Sequence, residues 1–191
     1  SSQMVMNVAL YRNLPFDVDK DLRLIGLVGR TPLLLAGKAS GPKTLKELIA
    51  YARANPGQVS YGSGGTGSIS HIVGEAFERA AGIKLTHVPY KGNGPALADL
   101  SGGHVDLVFD GLATSRPLAE QGRVHLLAIS GARRNPAAPD LPTFAEQGVR
   151  DYDAYSWNCL MAPAATPPEM IARLNQTLNQ ALTQPAIKER F

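Results

Sequence analysis

A single cysteine, Cys159, stands in the 191 residues. It excludes an intrachain disulfide, and it leaves no cysteine pair for a zinc site. It does not settle the compartment. Long apolar runs are missing too, since none approaches the ~20 residues that a membrane-spanning helix needs. No block of like charge is present. The lysines and arginines are scattered, only Arg133 and Arg134 are adjacent, and a formal charge of +3 leaves no nucleic-acid footprint. Such a charge favours an anionic small ligand at most mildly, and ordinary surface charge is the simpler reading. The opening Ser1-Ser2-Gln3 carries no signal-peptide pattern, as would also hold for an exported protein after cleavage. The four histidines, His71, His87, His104 and His125, lack metal-site spacing, so no metal and no cofactor is expected.

What is present is a folded-domain composition, 44% hydrophobic and 18% charged, arranged as alternating strand-like and helix-like segments. Leu22 to Val28 reads as a strand, and Leu33 to Leu35 as a second short run. Thr44 and Glu47 form a capping-box pattern before a helix whose face is Leu45, Leu48, Ile49 and Ala52. A strand over 58–61 leads into Gly62-Ser63-Gly64-Gly65-Thr66-Gly67-Ser68. The next helix begins at about Ser68 to Ser70, and the spacing gives it a core stripe of Ile69, Ile72, Val73, Ala76, Phe77 and Ala80. Strands follow at 84–88, 105–109 and 124–129. Pro95 suits the first turn of a third helix, and a fourth follows Asp110-Gly111. A short helix is expected over 143–147 and a strand over 155–161. Thr166-Pro167-Pro168-Glu169 then opens a long helix with Ile171, Leu174, Leu178 and Leu182 as its buried stripe. Ser1 to Leu14 reads as the middle of a fold and 187–191 as an interrupted helix, so the sequence reads as a stretch of a longer chain.

Three strand ends feed helices through loops at 62–70, 89–95 and 110–113. In an open parallel sheet such loops line the ligand crevice, and helix N-termini there suit anions. Glycines in the first loop let backbone approach a ligand, and Ser63, Thr66, Ser68 and Ser70 offer hydroxyls. A tight turn with Ser68 or Ser70 merely capping the helix explains the same residues equally well. Gly62-x-Gly64-x-x-Gly67 also matches a dinucleotide fingerprint. The acidic residue that would hold the ribose is missing, because Val88-Pro89-Tyr90-Lys91 stands in its place. Lys91 could meet a 2′-phosphate, so an NAD(P)-binding domain of an oxidoreductase is the alternative reading. No G-x-S-x-G nucleophile elbow occurs. His71 could face the crevice, and His87 suits a core role. Asp110 could accept a bond from a ligand or could cap the next helix.

Taken together, these loops resemble the substrate-binding receptors of tripartite tricarboxylate transporters, the TctC or Bug family. The stretches that carry the resemblance are Asn7 to Tyr11 with Leu14 to Asp17, Tyr61 to Ser68 with His71, and His87 to Gly92 with Pro95-Ala96. Gly102 to Asp110, Leu141-Pro142-Thr143 with Glu146 and Gly148, and Ser156-Trp157 with Ala162-Pro163 and Thr166-Pro167 complete them. The resemblance implies an α/β, type II periplasmic-binding-protein-like fold, with two lobes each built on a mostly parallel sheet and the first lobe incomplete. Residues 1–32 would belong to lobe 1, 33–154 to lobe 2, and 155–191 would return to lobe 1. It implies a periplasmic receptor, not an enzyme, that captures a small carboxylate and serves membrane transporter subunits without entering the membrane. Carried over residue by residue, Gly64, Thr66, Gly67 and Ser68 would grip the carboxylate. Tyr90 and Lys91 would adjoin it, and Asp110 would sit at the mouth.

Overall fold

The computed structural model describes residues 2–10 and 13–188; Tyr11 and the tail 189–191 lie outside them. The chain divides into two compact units, Ser1–Thr31 with Ser156–Phe191, and Pro32–Tyr155. The first unit opens with α1 (Ser2–Leu10), α2 (Val18–Asp21) and β1 (Leu22–Pro32). The second runs β2 (Leu34–Lys38), α3 (Leu45–Ala54), β3 (Ser60–Ser63), α4 (Ile69–Ala81) and β4 (Thr86–Pro89). It continues through α5 (Asn93–Gly102), β5 (Leu107–Asp110), α6 (Leu112–Glu120) and β6 (Val124–Ile129). The chain then returns to the first unit as β7 (Tyr155–Pro163), α7 (Pro168–Thr183) and α8 (Pro185–Lys188).

In the second unit five strands form one sheet in the order β4-β3-β5-β2-β6. β3 runs parallel to β4 and β5, whereas β2 is antiparallel to β5 and to β6. The sheet is therefore mixed, with every strand but β2 pointing one way. β2 is buried from Leu34 to Gly37. A strand covered on both faces shows the same unbroken apolar run in either direction, so its reversal leaves no mark in the sequence.

Side chains alternate across this sheet with the two-residue period of a strand. Leu35, Tyr61, Leu107 and Phe109 join the core on one face, with Leu48 of α3 and Phe77 of α4. Leu34, Ala36, Val108 and Ile129 join the core on the other, with Ala96, Leu97 and Leu100 of α5. Phe77 anchors the first core through rings of Phe109, Phe144 and Tyr152 at centroid distances of 5.7, 5.8 and 5.7 Å.

The helix starts obey local chemistry, with corrections to the expected pattern. Thr44 Oγ1 accepts the Glu47 N–H at 3.2 Å, and Glu47 Oε2 reaches past the cap to the Lys43 N–H at 3.0 Å. The capping box is thus closed one residue early. On α4 the buried positions are Ser70, Val73, Gly74, Phe77, Glu78 and Ala81, while Ala76 and Ala80 are exposed. The buried face is rotated because it admits a glycine against Tyr61 and a carboxylate, Glu78, that accepts from Lys84 and from the Leu85 N–H. Gly82 ends α4 with φ of 61°. The helix expected over 143–147 is a series of turns instead. Thr143 and Glu146 exchange the two bonds of a capping box, at 2.7 and 3.2 Å, but Gly148 at φ of 92° turns the chain away before a helix can propagate.

In the first unit β1 pairs with β7. Asn175 of α7 donates to the Ile25 carbonyl at 2.6 Å. The stripe expected on α7 is only partly covered: Ile171, Leu178 and Leu182 are half-buried, and Leu174 is exposed. Thr166 does not cap α7 either; Pro167 occupies the cap position with no side-chain bond.

Candidate functional site

β4, β3 and β5 are neighbours, and β3 is parallel to both of the others, so their C-terminal ends lie along one edge. Each leads into a helix: β3 into α4, β4 into α5, and β5 into α6. Three helix N-termini, with their unpaired N–H groups and positive dipole ends, therefore begin at the same edge of the sheet.

The loop from Ser63 to Ser68 is held from within. Gly65 and Gly67, at φ of 118° and 79°, take conformations that strain any residue with a side chain. The Gly65 N–H donates to Ser63 Oγ at 3.1 Å, the Gly67 N–H to His71 Nδ1 at 3.1 Å, and the Gly64 N–H to Ser70 Oγ at 2.9 Å. Ser68 Oγ accepts the His71 N–H at 3.3 Å and so caps α4. No acceptor among the described residues meets the backbone N–H of Thr66, Ile69 or Ser70, and Thr66 is exposed. Those donors and the Thr66 hydroxyl are what the loop can offer to an anion.

A side-chain bridge joins the three helix starts. Buried Ser70 donates to Asn93 Oδ1 at 2.9 Å. The other end of that amide donates to the Phe109 carbonyl at 3.0 Å and to Asp110 Oδ1 at 2.8 Å. A carbonyl and a carboxylate can only accept, which fixes the orientation of the amide. Asp110 Oδ2 accepts from the hydroxyls of Thr114 and, at 3.1 Å, Ser115. The backbones of the first two loops are also joined, through Gly92 N–H to Gly64 O at 3.2 Å and Tyr90 N–H to Ser63 O at 3.0 Å.

The expected site residues thus fall into three groups. Gly64, Thr66, Gly67 and Ser68 share one loop at the sheet edge, and Ser68 is at the same time the helix cap. Asp110 is tied to that loop through Asn93 but is only 7% exposed and already accepts three bonds. It braces the edge and neither caps α6, whose cap Gly111 has no side-chain bond, nor presents a free carboxylate. Tyr90 and Lys91 part company. The Tyr90 ring packs against the core, and its hydroxyl donates to Asp99 at 2.7 Å. Burial and that bond push the hydroxyl up to about 12. Lys91 is exposed and makes no ion pair among the described residues.

The bridging role of Asn93 leaves no mark in the sequence, since a lone asparagine at a helix start carries no signal beyond capping. The fold also brings together two histidines that stand apart in the sequence. His71 of α4 stacks on His87 of β4 with ring centroids 4.0 Å apart and planes 16° from parallel. His87 Nε2 lies 2.6 Å from Ser63 Oγ. Tyr61, paired with His87 across the two strands, stacks on its ring at 5.0 Å. Among the described residues no group of three or more His, Cys, Asp or Glu could hold a metal ion, and no helix is long and apolar enough to cross a membrane.

A mixed α/β sheet with three helix N-termini gathered at one edge is the architecture of a periplasmic-binding-protein-like domain. The chain belongs to the tripartite tricarboxylate transporter family receptors, TctC, whose family model matches residues 1–191. It is 36% identical over 184 residues to a UPF0065 protein of Agrobacterium vitis, covering 96% of this chain and 53% of that one. To protein BugT of Bordetella pertussis it is 34% identical over 195 residues, covering 100% and 59%. Among solved structures it resembles a protein of R. palustris with adipate (TM-score 0.86, 38% identity, 94% of this chain and 60% of that one). It also resembles MatC from Rhodopseudomonas palustris with bound malate (0.84, 32%, 97% and 63%) and the periplasmic binding protein BugD (0.87, 31%, 99% and 64%). The chain thus spans 53% and 59% of the length of these two curated relatives. The NAD(P)-binding alternative gains no support from these matches.

Proposed function

We propose that this chain is the greater part of a periplasmic solute receptor that captures a small dicarboxylate or related carboxylate for a tripartite transporter, without catalysis. The observation that carries the reading is the common edge of α4, α5 and α6, where neutral backbone donors and hydroxyls, not a buried cation, are offered to an anion. Desolvating a carboxylate is offset by several oriented N–H donors, which leaves the ligand exchangeable rather than trapped. Gly64, Gly67 and Ser68 shape the gripping loop, the free N–H groups of Thr66, Ile69 and Ser70 and the Thr66 hydroxyl make the grip, and Lys91 adds a positive charge beside it. Asp110 and Tyr90 act from behind, by fixing the backbone. The relatives with adipate and malate support a linear dicarboxylate of about four to six carbons as the first ligand class to try.

The test is the melting temperature of the protein with malate, adipate, citrate, glutamate, nicotinate and NADP. A ligand at about 100 times its Kd adds roughly 2.7 kcal/mol, or on the order of 5–10 °C for a domain of this size. A rise with a carboxylate class and none with NADP is the expected result. A rise with NADP alone would overturn the reading.

A further inference from the structure

We propose that His71 and His87 are positioning residues of the anion loop, a stacked pair that holds the loop in its binding geometry only while both rings are uncharged. The proposal rests on the carboxylate reading of that loop and adds a condition to it. His71 Nδ1 accepts the Gly67 N–H at 3.1 Å, which a nitrogen can do only without a proton of its own. The single ring proton is then on Nε2, 3.8 Å from Glu75 Oε1. Protonating Nδ1 replaces an acceptor by a donor opposite a donor, and Gly67 loses its anchor. Gly67 is itself buried and held at φ of 79° between Thr66 and Ser68, so the displacement is delivered to the gripping residues directly.

His87 works through the other end of the loop. Ser63 Oγ lies 2.6 Å from its Nε2, accepts the Gly65 N–H at 3.1 Å and donates its one proton to the Gly65 carbonyl at 3.2 Å, so the ring is the donor to that oxygen. The ring is the middle layer of a stack, between Tyr61 at 5.0 Å and His71 at 4.0 Å. Two imidazolium rings in that arrangement would repel at van der Waals distance.

The charged and titratable groups around the pair come from three elements. Tyr61 on β3 is buried and donates to Glu75 Oε1 at 3.0 Å, and burial first, then that bond, push its hydroxyl up, so it stays neutral. Glu75 on α4 favours a charged imidazole. Glu78, further along α4, is paired with Lys84 at 2.7 Å. On β4 the balance goes against charge, since burial first, and then the neighbouring His71, hold His87 below its ordinary value of 6.5, with Glu75 opposing. For a histidine whose folded value is depressed, the stabilisation is fully present above about 6.5 and is lost as pH falls through the lower folded value. Mild acid should therefore loosen the loop, even though a cationic pair would draw an anion more strongly at long range.

The experiment measures amide-hydrogen protection of Gly65 and Gly67 by NMR from pH 8 to pH 5, corrected for intrinsic exchange, with no ligand present. Loss of a bond of this kind corresponds to a change of about tenfold. Protection in the unmodified protein is expected to fall by about that factor across the series. His71→Asn offers an uncharged acceptor near the place of Nδ1, and should keep protection high at Gly67 and flat with pH. His71→Phe keeps the stack without the acceptor, and should lose protection at every pH. Protection at Gly67 that is flat in the unmodified protein would overturn the proposal, as would a pH response in His71→Asn equal to the original. Circular dichroism of each variant separates these results from unfolding. Malate titrated at pH 8 tests the carboxylate reading separately, because the amide readout needs no ligand.

Discussion

The Asn93 side chain lies 2.8 Å from Asp110 Oδ1 and 2.9 Å from Ser70 Oγ, so one amide at the start of α5 joins the helix starts on either side of it. Asn93→Ala removes both bonds and the one to the Phe109 carbonyl, and leaves part-buried polar groups behind. A loss of about 1–3 kcal/mol is expected in urea denaturation. The same variant should weaken carboxylate binding, as calorimetric titration would show. Asn93→Asp should be worse than Asn93→Ala, because it sets a second carboxylate against Asp110.

Ser68 and Thr66 separate capping from gripping. Ser68→Ala deletes the cap of α4 and should cost about 1 kcal/mol of stability, whatever its effect on ligand. Thr66→Val touches no bond in the fold and should leave the melting temperature unchanged. If the loop grips an anion, Thr66→Val still lowers its affinity.

At the far end of the sheet Lys38 and Asp106 form an ion pair at 2.6 Å, and Ser60 donates to the same carboxylate from its N–H and its hydroxyl, both at 2.7 Å. Burial works against the charge of Asp106, but these bonds outweigh it and hold the carboxyl below its ordinary value of 3.8. Its stabilisation is present above that value and is lost as pH falls through the lower folded one. Asp106→Asn should therefore be less stable than the original near neutrality, and the two should converge below about pH 3.8. Urea midpoints at pH 7, 4 and 2.5 give the comparison.

Gly74 faces Tyr61 so closely that a Cβ there would lie 2.8 Å from Tyr61 Cζ. Tyr61 is fully buried and cannot retreat. Gly74→Ala should cost about 1–3 kcal/mol by overpacking, against the usual gain of alanine in a helix. It should also disturb the His87 ring stacked on Tyr61, visible as a shift of its imidazole resonances.

Elements with strong local signals were legible in the sequence. Thr44 and the Val124–Ile129 run mark their elements to within a residue, because caps and apolar runs are local properties. The glycine loop was legible for the same reason. What escaped depends on partners far away in the chain. The His71–His87 stack needs α4 laid over β4, and the bond of Tyr90 to Asp99 needs the first turns of α5 folded back on its own loop. Asp110 reads as a ligand group or a cap until Thr114, Ser115 and Asn93 are seen to occupy it. The stripe on α7 was visible as periodicity, but periodicity says which face is apolar and not whether enough surface exists to cover it.

β2 has one further consequence, for the order of assembly. Its neighbours β5 and β6 are synthesised long after it, while β3, α4, β4 and α5 follow one another and can dock by short crossovers. During translation the run Leu33 to Ala36 leaves the ribosome without either partner, as an apolar strand with two bare edges. An inner strand of the five-stranded sheet is thus the one that waits longest, within that sheet, for its neighbours.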